Sequence, residues 1–302
     1  MKKGYFAIAI AVLPWGFSFL NTKIAIQALG AMTLCFSRFL IALVIISIVA
    51  FITKKDLKIK NEDIKYFLLA GGVGITVYFY FENNGVKYID PSAASLLLAS
   101  MPIATIFSEA LFDGRKLDKK MIIGGLISLI GVGIIMGGDI NLNSLFVGDA
   151  LKGYLMMFGA ILSWVVYSLS TKVLFKKYSQ FTIVFYQFLF GVVLAFPFIF
   201  IEKNSFELVN NVVVFNVLML GVFSSAIGFF AFNYSMKALG VSKASLFINF
   251  IPLVTIIASY FYYGTFIGLN QVIGGIFIIG SVLINREDKE VEYINTHRNV
   301  SD

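Results

Sequence analysis

The sequence predicts an all-α polytopic membrane protein, with ten transmembrane helices arranged as two inverted five-helix repeats. Three observations predict it. Apolar runs long enough to span a bilayer follow one another along the chain. Lysine and arginine cluster on alternate connections. The second half repeats the first at shifts of 149 and 150 residues.

Composition carries the first point. Of 302 residues, 59% are hydrophobic and 14% charged, with a mean hydropathy of +0.87. A soluble domain is about a quarter charged, so no water-soluble packing hides this much apolar surface. A spanning helix takes about 20 apolar residues. The candidates run over 5–25, 32–52, 64–83, 92–112, 120–138, 152–172, 180–201, 211–233, 242–263 and 269–285. The first run is long and has no small-residue cleavage pattern, so it reads as a retained span rather than a signal peptide. Gly71, Gly72, Gly74, Gly124, Gly125, Gly131 and Gly133 recur at spacings that let helix backbones approach closely.

The basic residues set the orientation. Lys2 and Lys3 precede span 1, and the second-to-third connection carries Lys54, Lys55, Lys58 and Lys60, with Lys65 at its edge. Arg115, Lys116, Lys119 and Lys120 follow span 4, Lys172, Lys176 and Lys177 follow span 6, and Lys237 and Lys243 flank the eighth connection. With Arg286, Lys289 and Arg298 these make 19 of 24 basic residues on one side. The positive-inside rule then puts both termini in the cytoplasm of a multi-pass protein of the plasma (inner) membrane. The net charge of +7 is thereby a topology signal, and no nucleic-acid partner is needed to explain it.

The duplication is clearest where Lys87–Gly114 meets Lys237–Gly264, with nine identities in 28 aligned positions, among them Pro102 with Pro252. Shared apolar composition alone gives about three. Trp15 aligns with Trp164, and Arg38 with Gln187. Each half has five spans, an odd number, so the second must sit upside down. Inverted repeats of this kind mark transporters, whose halves exchange roles between access states. The predicted organisation is a first repeat at 1–139, an inter-repeat loop at 140–149, a second repeat at 150–286 and a cytoplasmic polar tail at 287–302.

Several chemistries are excluded. Cys35 is the only cysteine and His297, in the polar tail, the only histidine. No intrachain disulfide, no histidine or cysteine metal site and no Ser-His or Cys-His catalysis within the membrane can be built from them. An intramembrane enzyme would need a paired carboxylate or a nucleophile with its base, and a channel a repeated filter or charged ring. Neither pattern stands out, so no catalytic residue, metal or cofactor is expected. No Gly-x-x-x-x-Gly-Lys-Ser/Thr loop occurs, which argues against ATP drive.

A few residues could carry function. Pro102 and Pro252 each remove a backbone hydrogen bond, giving either a static bend or a paired hinge. Pro14-Trp15-Gly16 reads as a second flexible point. Arg38, Glu82 and Glu109 are ionisable within or near the hydrocarbon. Tyr78 and Glu82 share a helical face. Glu82 is either solvated at the interface, or a site for an amine or a coupling proton. Arg38 fits either a structural ion pair or carboxylate binding. Glu109 and Asp113 are one turn apart, with Arg115 or Lys116 as expected partners. Trp15 and Trp164 lie near mid-span, which favours a cavity wall over an interfacial belt.

Four stretches together resemble the EamA-type ten-helix branch of the drug/metabolite transporter superfamily. They are Pro14-Trp15-Gly16 through Lys23, Phe81-Glu82-Asn83 through Lys87-Tyr88, Ala94-Ser95-Leu96 through Pro102-Ile103, and Asn249 through Pro252. The resemblance covers 4–285. It implies a transporter of small metabolites, often an amino-acid exporter, with a cavity between helices 1, 3, 4, 6, 8 and 9. Carried onto this chain, it implies cavity residues Trp15, Ser18, Tyr78, Glu82, Asn83, Ser95, Trp164, Tyr167, Asn233, Ser245 and Asn249. One departure is plain: the family often has glutamate after the end-of-helix glycines, where this chain has Arg115 and Thr265. The expected partners are a small-molecule substrate and the lipid bilayer. Oligomeric state is left open, and a monomer is compatible.

Overall fold

The structure, a computed structural model, describes residues 2–114, 119–139, 149–264 and 267–284. The expected inter-repeat loop, apart from Asp149, lies outside the described residues, as do the polar tail, Arg115, Lys116 and Thr265.

Among the described residues the chain forms α1 (Lys2–Ala25), α2 (Ala31–Ile52), α3 (Asn61–Tyr88), α4 (Pro91–Phe112), α5 (Lys119–Asp139), α6 (Asp149–Phe175), α7 (Gln180–Phe200), α8 (Asn211–Leu239), α9 (Val241–Tyr263) and α10 (Leu269–Ile284). Eight are long and apolar enough to cross a membrane, and α5 and α10 contribute the shorter apolar helices that close each repeat. Burial is inverted relative to a soluble protein. Phe51 and Phe261 are 87% and 81% exposed, while Arg38 and Glu82 are 1% and 3% exposed. The exterior is fit for hydrocarbon and the polar groups are inside.

The ends of the helices follow from local chemistry. At α4, Asp90 accepts from the Ser92 N–H at 2.8 Å and Pro91 takes the first turn, where its missing N–H costs nothing. Asn210 caps α8 through the Val212 and Val213 N–H groups. Gly114 and Gly264, the last identity of the duplicated stretch, close α4 and α9 with φ of 67° and 66°, the left-handed conformation glycine adopts without a Cβ clash. The first turn of α2 has no cap of its own. Glu202, from the α7–α8 connection, supplies one by accepting from the N–H groups of Met32 and Thr33 at 2.8–3.0 Å. Asn204 takes the Gly30 N–H at 2.8 Å.

Besides α7, whose last turn over Phe196–Phe200 is 3₁₀, four helices are interrupted within their length, in two symmetric pairs. The hydrogen bonding of α3 slips to the wider i→i+5 pattern over Leu69–Val77, and that of α8 over Leu220–Gly228. Helix α4 breaks between Leu98 and Met101, and α9 tightens to a 3₁₀ turn over Phe247–Phe250. Pro102 and Pro252 each sit second in the half-helix that follows. The proline positions thus coincide with interruptions, as a missing N–H requires.

The repeats are interlocked. Helix α1 packs on α8 and α9 of the other repeat, and α6 packs on α3 and α4. A Cβ at Gly16 would collide with Val254, and one at Gly159 with the Phe81 ring, so both positions need glycine for backbone approach. Helices α5 and α10 pack against each other. The Glu202 cap gives a testable consequence: Glu202→Ala lowers stability by about 1 kcal/mol, the value of a helix cap, read from thermal unfolding in detergent.

Candidate functional site

A cavity of about 420 Å³, counting its open mouth, lies where the repeats meet. Its walls come in symmetric pairs. Trp15 and Trp164, Phe79 and Phe229, Leu98 and Ile248, and Met101 and Ile251 occupy equivalent repeat positions, and all eight line it. The remaining lining residues, Ser18, Phe19, Arg38, Tyr78 and Glu82, come from the first repeat alone. The walls are therefore two-fold and the polar groups one-sided.

The seam of the two halves is the stretch Pro14-Trp15-Gly16. The Trp15 indole N–H donates to the Ser224 carbonyl at 2.8 Å, and the Ser224 hydroxyl donates back to the Pro14 carbonyl at 3.0 Å. Thr255 donates to the Gly16 carbonyl at 2.9 Å. Helix α1 runs unbroken through this motif. Where flexibility was expected, three consecutive residues are tied to the opposite repeat, Trp15 by its indole N–H and Pro14 and Gly16 by carbonyl oxygens that have a second lone pair to offer. The two indoles meet edge to face at 5.8 Å, and Trp164 Nε1 has no partner within the protein.

Arg38 and Glu82 are the charged members of the cavity lining. The Arg38 Nε donates to the Ser225 hydroxyl at 2.8 Å, across to the wide-turn segment of α8. Its guanidinium carbon sits 4.4 Å from the centre of the Phe79 ring, within cation–π range. Among the described residues its Nη1 has no partner. Glu82 interacts with the Tyr78 hydroxyl and feels the Arg38 charge. The wide turns preceding Tyr78 and Phe229 re-aim these residues, a use typical of π segments at functional sites.

The predicted residues divide accordingly. Trp15, Ser18, Tyr78, Glu82, Trp164 and Arg38 line the cavity. Asn83, Ser95, Tyr167, Asn233, Ser245 and Asn249 do not. Asn83 donates to the Ala31 carbonyl, binding α3 to the start of α2. Ser95 and Ser245 donate to carbonyls of their own helices, at Ser92 and Val241. Asn233 and Tyr167 bond each other at 2.7 Å behind the wall. Asn249 lies in the 3₁₀ turn between the lining residues Ile248 and Ile251. Pro102 and Pro252 are outside the lining, each one residue past a lining residue. Sequence reasoning missed Leu98, Met101, Ile248 and Ile251, although all sit four and one residues before the two prolines. It also missed Phe19, Phe79, Phe229 and Ser225, which periodicity does not separate from lipid-facing or packing side chains.

At the termini-bearing end, Glu109 and Asp113 of α4 hold Lys172 of α6 at 2.6 and 2.8 Å. The Ser242 hydroxyl of α9 donates to Glu109. Glu109 is buried, so this is an inter-repeat ion pair and not the solvated edge contact expected. Lys172 belongs to α6 and not to the connection after it. At the opposite end its repeat equivalent, Lys23, instead donates to the carbonyls of Val86, Lys87 and Ile89.

The comparisons with known proteins agree with this architecture. The EamA-like transporter family matches the chain twice, over residues 2–137 and 151–286. An uncharacterized transporter of Archaeoglobus fulgidus is 24% identical over 288 residues, covering 95% of this chain and 100% of that protein. A probable terminal-alkyne amino-acid exporter of Streptantibioticus cattleyicolor is 24% identical over 292 residues, covering 95% and 94%. A solved crystal structure superposes with a TM-score of 0.68 at 17% identity, over 94% of this chain and 96% of that one, a likeness of fold.

The charge pair makes a prediction. Arg38→Met leaves a buried carboxylate without its counter-charge and costs about 3 kcal/mol. The double variant Arg38→Met/Glu82→Leu recovers most of that loss. Thermal unfolding of the purified proteins measures both.

Proposed function

The chain belongs to the EamA-like transporter family, and on that footing we propose that it is a secondary transporter exporting a small zwitterionic metabolite, such as an amino acid, by alternating access. The observation that carries this reading is one buried guanidinium and one buried carboxylate facing a single cavity between the repeats. A lone charge in a low-dielectric interior costs several kcal/mol. The empty site is neutral overall, and only a ligand that is itself neutral overall keeps it so. A zwitterion does this with its carboxylate on Arg38, whose Nη1 lacks a protein partner, and its ammonium on Glu82. Guanidinium and carboxylate geometries match. The paired apolar walls suit an apolar side chain. The Streptantibioticus cattleyicolor relative, named a probable amino-acid exporter, supports the same class.

Access would alternate by rocking one repeat against the other, with the interrupted helices α4 and α9 bending near Pro102 and Pro252. The ion pairs of Lys172 with Glu109 and Asp113 close the end of the cavity that the basic residues place in the cytoplasm. In this reading the structure is the outward-facing state, held by a latch with no duplicate at the Lys23 end. The protein would lie in the plasma membrane with both termini cytoplasmic. It needs no cofactor and no nucleic acid, and its oligomeric state is left open.

Two measurements test these statements. Glu82→Gln abolishes most uptake of amino acids into proteoliposomes and, by leaving Arg38 without its counter-charge, costs stability as Arg38→Met does, about 3 kcal/mol, with the protein still folded at the assay temperature. Undiminished uptake would remove Glu82 from the site. Lys172→Met releases the latch, so a cysteine placed at Ser245 in a Cys35→Ala background reacts about tenfold faster with a reagent applied from the cytoplasmic side. Equal rates would show that the ion pairs hold no gate.

A further inference from the structure

The inverted repeat implies two equivalent halves of the binding chamber, yet only the first-repeat half is open. The residue in the way is Tyr167. It is the repeat equivalent of Ser18, at a shift of 149. Ser18 is small and its surroundings are cavity, faced by Arg38, Tyr78 and Glu82. Tyr167 is fully buried. Its ring lies 4.9 Å from Trp164 and 6.0 Å from Phe229, and both of those rings line the cavity. Gly74 makes the room, since a Cβ there would come within 2.5 Å of the Tyr167 ring.

The hydroxyl of Tyr167 ends in a neutral polar pocket. It accepts from the Asn233 amide at 2.7 Å, and that amide also reaches Gln187 at 3.5 Å. Gln187 donates to Thr171 at 2.9 Å. Gln187, Asn233 and Thr171 are the repeat equivalents of Arg38, Asn83 and Thr22. The Asn233 Oδ1 is buried with no partner in the protein, an acceptor awaiting a donor.

We propose that Tyr167 is a built-in occupant of a second subsite. Its phenol stands where the hydrogen-bonding end of a longer ligand would lie, and it thereby sets the size limit of the chamber. The subsite is uncharged and takes amide- or hydroxyl-bearing groups. The claim of a size limit rests on the cavity being the substrate site, as proposed above. The claim of a filled subsite does not.

The experiment separates the two. Gln187→Cys in a Cys35→Ala background is labelled with a small cationic methanethiosulfonate in proteoliposomes, alone and combined with Tyr167→Ser or Tyr167→Phe. The serine variant is expected to label about tenfold faster. The phenylalanine variant, which keeps the ring, is expected to label at the parent rate. In parallel, leucine and the dipeptide leucyl-glutamine are titrated for thermal stabilisation. The ratio of dipeptide to leucine affinity is expected to rise about tenfold in Tyr167→Ser and to stay unchanged in Tyr167→Phe. Tyr167→Leu, which keeps an apolar filling, shows a smaller rise and serves where serine destabilises too far. Unchanged labelling in Tyr167→Ser, or in Tyr167→Leu where serine destabilises too far, overturns the filled subsite. Faster labelling with an unchanged ratio overturns the size limit. Faster labelling with neither ligand stabilising any variant upholds the filled subsite and overturns the zwitterion reading instead.

Discussion

A guanidinium and a carboxylate buried between helices of membrane-spanning length constrain everything built around them. Lipid offers neither hydrogen bonds nor dielectric screening, so each charge must find its compensation inside the protein. Arg38 obtains it from three directions: the Ser225 hydroxyl of the other repeat, the Phe79 face, and the field of Glu82. The first of these exists only because the two repeats meet, while the other two lie within the first repeat. The shell of aromatic rings around them, from Trp15 and Trp164 to Phe79 and Phe229, both excludes lipid and shapes the space a ligand enters.

That shell explains why the halves are crossed. Helix α1 is lodged in the second repeat and α6 in the first. The seam residues Pro14, Trp15 and Gly16 bond to Ser224 and Thr255 of the other repeat. Under the alternating access proposed above, a chamber enclosed by both halves would change its exposure as they rock without dissolving its wall. The wall itself stays two-fold, while polar function has drifted to one side. Substitutions at equivalent positions, Ser18 against Tyr167 and Arg38 against Gln187, convert a symmetric scaffold into a directional site. The two ends differ as well, because Lys172 meets two carboxylates while Lys23 meets backbone carbonyls.

Much of this was legible in the sequence because its signals are periodic or cumulative. Apolar run length, basic asymmetry and the 150-residue shift each sum over many residues, and the repeat alignment paired Trp15 with Trp164 and Arg38 with Gln187. The misses were of another kind. Ser95, Ser245 and Asn83 are polar and mid-helix, but their groups bond to backbone carbonyls, a local choice that no pattern announces. Glu109 was read toward the nearest cations in sequence, whereas its partner lies 63 residues away on α6.

By itself the sequence determined the membrane class, the ten-helix inverted repeat and the proline-marked interruptions of α4 and α9, because hydrophobicity, charge and missing N–H groups act locally and add along the chain. Tertiary structure alone decided which side chains share the chamber, which tryptophan keeps a free N–H, and that Tyr167 fills the space its counterpart Ser18 leaves open. Those outcomes depend on how two helices from opposite repeats rotate about their own axes. That rotation is set by interlocking volumes at contacts such as Gly16 with Val254 and Gly74 with Tyr167, distant in sequence and meaningful only once the halves have met.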